Sequence, residues 1–304
     1  AAGFRTSSSD EADAIGRGIA SRSPILICGS SRARHHYDPD TLEARLGAPA
    51  WNLGRDGQFG PFFPYGVAEL ALRAYAPRLW ILEVDESMFV GHDAMAPLNV
   101  LLPYAGENAD VAELVNHRSR YERLKRLSAI YPFNSLVLSL FASHPGRSQP
   151  SRRGFDPVEG HLSPADTVAE RGPGDRDDAH GAANGHDQAA PEPAPDALKR
   201  RYLAKMIRDL GARGVTVVAI RSPSFARGPA DRERERLEGE RLARVFTSFG
   251  VRFIDLSAAS CPALGDPGLF RDTSHLNRAG AARFSALVAD SIASLQLPGL
   301  RGAE

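Results

Sequence analysis

Cysteine is nearly absent. Two residues, Cys28 and Cys261, in 304 provide neither a disulfide framework nor a zinc pattern. Cys28 falls within an apolar run, where a free thiol behaves as a small apolar group. Net charge is also lacking: 37 basic residues balance 37 acidic ones, which removes the basic excess of a nucleic-acid binder and leaves no basic helix for an anionic membrane. No run of about 18 apolar residues exists to span a bilayer; the longest candidate is the short "SLVLSLFA", Ser135 to Ala142. GxGxxG and P-loop signatures are missing, which argues against a nucleotide-binding α/β protein. The chain opens on Ala1 rather than Met and reads as a processed or trimmed product, with room for an upstream signal or anchor.

What is present is an ordinary globular composition, 42% hydrophobic, with ample material for a core. Short apolar runs at Ile25–Cys28, Ala50–Leu53, Leu79–Val84, Val215–Ile220 and Val251–Leu256 show no polar alternation. That pattern suits parallel strands covered on both faces. Helical patterns occupy Asp40–Leu46, Gly66–Tyr75, Ala109–Leu127, Ala197–Arg213, Arg232–Phe249 and Arg278–Leu295. The alternation predicts one α/β domain over 1–304, a three-layer α/β/α sandwich on a five-stranded parallel sheet, flavodoxin-like in form. Ligands then sit beyond the carboxyl ends of the strands.

Residues 145–196 stand apart. They hold 8 of the 22 prolines, and their only large apolar side chains are Phe155, Val158, Leu162 and Val168. Such composition predicts a flexible low-complexity insertion, with His161, His180 and His186 solvated rather than metal-bound. Deleting it is expected to leave the melting temperature nearly unchanged.

Three strand ends carry candidate chemistry. The stretch "PILICGSSRARHHYDP" delivers Gly29-Ser30-Ser31-Arg32 into a turn after the first strand, where a hydroxyl is exposed and backbone N–H groups are aimed outward. The stretch "APAWNLGRDGQFG" ends the second strand at Asn52-Leu53-Gly54, and a glycine there lets backbone approach a bound group. Far downstream, "LFRDTSHLNRAG" places Asp272 three residues before His275, ahead of the last helix. That spacing lets a carboxylate fix the imidazole tautomer while the other ring nitrogen takes a proton from a serine. Each feature alone also reads as an ordinary turn or cap. The other candidates at this edge are Arg32, Gln58, Arg221 and Ser222, read as substrate-lining or, equally, as plain loop and helix-capping residues. Adjacent His35 and His36 point apart, which disfavours a metal site; no metal, nucleotide or other cofactor is called for.

Taken in order, these residues resemble the SGNH/GDSL hydrolase superfamily. The resemblance covers nearly the whole chain apart from the insertion. It implies Ser31 as nucleophile with Ser30 at the usual aspartate position, Gly54 as oxyanion glycine, and Asp272 and His275 as the rest of a Ser–His–Asp triad. The family's oxyanion asparagine falls near Asp85 in "LWILEVDESMF", and a carboxylate cannot stabilise an oxyanion. The resemblance therefore leaves the hole to the N–H groups of Ser31 and Gly54, with Asn52 or Gln58 as substitute donors. The Gly-Ser-Ser-Arg form is most similar to extracytoplasmic members that handle acyl groups on envelope polymers, such as D-alanylation and alginate-acetylation proteins. It implies O-acyltransferase or esterase action on an acylated carbohydrate or small acyl ester. It also implies a periplasmic or cell-surface location and a membrane-bound O-acyltransferase partner. The alternative is an SGNH-like binding or scaffold protein that lost the chemistry.

Overall fold

The computed structural model describes residues 14–90, 95–128, 131, 153–162 and 196–297. Five parallel strands form one sheet: β1 (Ile25–Cys28), β2 (Ala50–Asn52), β3 (Leu79–Glu83), β4 (Thr216–Arg221) and β5 (Arg252–Asp255). Their order is β2-β1-β3-β4-β5, a doubly wound arrangement of the flavodoxin-like kind. The order reverses between β1 and β3, so a crevice opens there at the carboxyl edge.

Helices cover both faces, which makes the three-layer α/β/α sandwich. Alternate strand residues face opposite ways. Leu26, Cys28, Trp80, Leu82 and Ala219 pack into a core with α1 (Ala14–Ala20), α4 (Phe62–Ala74), α5 (Ala109–Asn116), α7 (Ala197–Ala212) and α8 (Pro229–Ser248). Ile25, Ile27, Leu79, Ile81, Val218 and Ile220 face α2 (Ser31–His36), α3 (Pro39–Leu46) and α9 (Arg278–Ser294). All four β1 side chains are buried, as a central parallel strand requires. Among the described residues, no helix is long and apolar enough to cross a membrane.

Two sequence expectations change. The helix expected over 109–127 stops at Asn116, and a separate short α6 (Glu122–Lys125) follows. Ser119 Oγ accepts from the Tyr121 N–H between them, a side-chain turn that competes with the helix.

The second change concerns residues 153–162 of the expected flexible insertion. Residues 153–162 pack as a strap across the carboxyl edge. Arg153 O accepts from Asn52 N on the free side of β2, at 2.9 Å. Asp156 N donates to Arg34 O, Arg278 N to Val158 O, and Leu162 N to Phe270 O. Phe155 and Leu162 are buried, and Leu162 joins the α9 core. Gly154 has φ +85°, and an added Cβ would lie 1.8 Å from Asn52 O, so only glycine fits this crossing. Composition averaged over a long polar segment hid ten residues with their own anchors. Apart from Asp196, the remaining insertion positions, including His180, His186 and Val168, lie outside the described residues.

Candidate active site

The chain leaves β1 at Gly29 and enters α2 at Ser31. Ser30 caps this helix, its Oγ accepting from Arg32 N. Gly29 has no space for a side chain: a Cβ would lie 2.8 Å from Glu83 Cβ on β3. This close approach presses the serine turn against the central strand.

Asp272 and His275 arrive from the loop before α9. A bridge between Phe270 and Leu276 pinches that loop closed. Asp272 Oδ1 accepts from the backbone N–H groups of Ser274 and His275, at 2.9 and 2.8 Å. Its carboxylate also faces His275 Nδ1, at 3.0 and 3.1 Å from the two oxygens. Burial alone would raise the Asp272 carboxyl. The His275 hydrogen bond and charge, with the two backbone donors, outweigh it and bring the carboxyl down to about 2. An ionised partner at Nδ1 makes that nitrogen the donor, leaving Nε2 with its lone pair. Nε2 lies 2.9 Å from Ser31 Oγ. Three residues from opposite ends of the chain thus form one hydrogen-bonded line.

The surroundings hold the imidazole in place. His36 is fully buried, and its Nε2 accepts from Leu276 N at 3.0 Å. Burial, then the neighbouring His275, Arg32 and His35, hold His36 neutral. The His35 ring meets His275 edge-on at 5.5 Å. His35 Nδ1 faces Asp156 O at 2.5 Å and Nε2 faces Asp56 Oδ1 at 3.2 Å. Burial would lower the His35 pKa, but the hydrogen bonds to Asp56 and the Asp156 carbonyl raise it overall. Arg34 reaches Asp56 and Asp156, so the strap closes this flank.

The other expected site residues have different partners. Asn52 Nδ2 donates to Ala33 O and Tyr37 O, at 2.6 and 2.9 Å. Its Oδ1 accepts from Gly54 N at 2.8 Å. Neither the Asn52 amide nor the Gly54 N–H is therefore available as an oxyanion donor here: the amide ties β2 to α2, and the Gly54 N–H closes the turn after β2 on Asn52. Ser31 N–H remains, since a first-turn amide has no intrahelical acceptor. Gln58 is buried and donates to Pro97 O, away from a lining role.

Arg221 is likewise buried, bonded to Glu235 O and Glu238 and facing Asp255. It joins α8 to the sheet rather than lining a pocket. Ser222 is buried on Glu83. Arg32 binds Asp85 at 2.6 Å and Glu83 at 3.4 Å. Burial would raise the Asp85 carboxyl, but Arg32 and the Ser87 hydrogen bonds hold it below its ordinary value. Asp85 is the Arg32 anchor and the cap of the turn at 86–88. The sequence reading missed Glu83 and Asp156. A carboxylate inside the apolar run "LWILEV" was the available signal for Glu83.

Among the described residues, no group of three or more His, Cys, Asp or Glu is arranged to hold a metal. No protein-family model and no curated protein matches the chain.

Proposed function

We propose that this protein performs serine-dependent acyl-ester chemistry, with Ser31 as nucleophile. The Asp272–His275–Ser31 line, at 3.0 and 2.9 Å, carries the reading. Ser31 Oγ attacks the acyl carbonyl as His275 Nε2 takes its proton. Asp272 holds the tautomer and stabilises the imidazolium. The Ser31 N–H is positioned in the first turn to meet the developing oxyanion. Collapse expels the alcohol, protonated by His275, and leaves an acyl-serine. Water then releases the acid, or a sugar hydroxyl takes the acyl group.

The carbohydrate assignment is supported by the Gly-Ser-Ser-Arg resemblance. On it rest an acylated envelope or exported polysaccharide as substrate, an extracytoplasmic setting and a membrane-bound O-acyltransferase as partner. A second reading, a binding or scaffold protein in a polysaccharide-modification complex, is favoured by one observation: Gly54 N–H and the Asn52 amide are already bonded within the fold.

Intact mass after incubation with a fluorophosphonate separates the two. The expected result is one adduct on wild type and none on Ser31→Ala. Unlabelled wild type overturns the enzyme reading in favour of the scaffold.

A further inference from the structure

We propose that Glu83 is a positioning residue for Ser31, holding the nucleophile turn through Ser30 and Arg32. This rests on the reading of Ser31 as nucleophile. Glu83 ends β3, the middle strand of the sheet, and is 1% exposed. The register pairs Cys28 with Leu82, so the next step along both strands sets Gly29 beside Glu83. The missing Gly29 side chain lets them touch.

Each contact of the carboxylate leads to a strand-end loop or to the first turn of α2 at the carboxyl edge. Oε2 accepts from Ser30 Oγ at 3.3 Å. Oε1 accepts from Ser222 Oγ, just past β4, at 3.1 Å, and faces Arg32 Nε at 3.4 Å. Ser30 and Arg32 flank Ser31 in sequence. Glu83 therefore grips the turn on both sides of the nucleophile without contacting the nucleophile itself. A buried carboxylate is costly, and an apolar residue would complete the "LWILEV" strand at lower cost. The three donors are what the carboxylate adds.

The charged groups facing this cluster are Arg32 from α2 and Asp85 beyond β3, and the neutral phenol of Tyr37 lies beyond α2. Burial raises the Glu83 carboxyl, against the pull of Arg32, to about 7. Arg32 is shared, and Asp85 has the shorter contact. Protonation turns one oxygen into a donor that competes with Ser30, Ser222 and Arg32. The grip thus loosens as pH falls through neutrality, in addition to the requirement for a neutral His275.

The test follows the rate of fluorophosphonate adduct formation across about pH 5 to about pH 9. It compares wild type, Glu83→Gln and Ser222→Ala, each checked for an unchanged melting transition. Glu83→Gln is expected to label about 10- to 100-fold more slowly, as misplacement of a reacting group does. Its acid limb should lose one ionisation and become shallower. Ser222→Ala keeps the carboxylate and loses one bond, for a fall of roughly 2- to 10-fold. Folded Glu83→Gln that labels like wild type, with the same acid limb, overturns the proposal. If Glu83→Gln does not fold, unchanged labelling of Ser222→Ala overturns it.

The ¹⁵N resonance of His275 Nε2 reads the Ser31 hydrogen bond without any reagent. It should shift in Glu83→Gln in the direction seen in Ser31→Ala. Unlabelled wild type would remove the nucleophile reading alone. The resonance then decides Glu83, and coincidence with wild type overturns its role.

Discussion

Asp272 serves two purposes at the residue scale. Its Oδ1 closes the loop by accepting two backbone N–H groups, and its carboxylate fixes the imidazole. Asp272→Asn keeps the shape and offers a donor where His275 Nδ1 also donates. Fluorophosphonate labelling is expected to fall by roughly 10³- to 10⁴-fold at neutral pH. The melting temperature at neutral pH should fall only modestly, because the half-exposed side chain keeps its shape and loses only the solvent-screened stabilisation of its charge. The pH dependence has a fixed sign. The folded carboxyl titrates at about 2, below its ordinary 3.8, so the folded state binds fewer protons between those values. Its stabilisation is complete above about pH 4 and is lost as pH falls through about 2. Acid unfolding followed by circular dichroism should show Asp272→Asn losing less stability than wild type over that interval. Parallel acid curves would show that the carboxylate is not selectively stabilised by the fold.

At the scale of elements, the strands were legible because burial on both faces leaves no alternative to unbroken apolar runs. Leu79–Glu83 and Thr216–Arg221 fall within a residue or so of the expected spans. Ser31, Asp272 and His275 were legible because each sits where a strand or loop meets a helix, and the topology brings those ends to one edge. The partners of Asn52, Arg221 and Ser222 were not legible, because each depends on a side chain or carbonyl from another element. Asn52 shows the consequence. It lies on β2, yet its amide binds the carbonyls of Ala33 in α2 and Tyr37 just beyond it. Asn52→Ala strands two carbonyls and the Gly54 N–H, each costing about 1–3 kcal/mol if left buried without a partner. A loss of at least about 3 kcal/mol in urea unfolding is expected. A pure oxyanion donor would behave in the opposite way, with slower labelling and an unchanged urea midpoint.

On the scale of the whole molecule, the strap changes what the insertion means. Residues 153–162 run from the β2 edge, past α2, to the loop before α9. They therefore touch each of the segments that bring Ser31, Asp272 and His275 together. Asn277 adds a further tie, its Nδ2 reaching Gly160 O on the strap and Gly268 O on the preceding loop. A polar, proline-rich segment was expected to be removable because it lacks enough apolar surface to offset its ordering entropy. Two buried anchors suffice where, as for Leu162, the socket is already built by the sheet and α9. Phe155 and Leu162 are both buried, and losing such side chains costs roughly 2–5 kcal/mol each. Residue 196 matters as well, since Asp196 caps α7 and its N–H donates to Phe89 O. Removing residues 145–196 is therefore expected to lower the melting temperature by about ten degrees or more, given roughly 2–4 °C per kcal/mol in a domain of this size. Scanning calorimetry of the shortened chain measures this directly. A transition within about two degrees of wild type would mean that strap and sheet hold together only as separate pieces, with no shared stability.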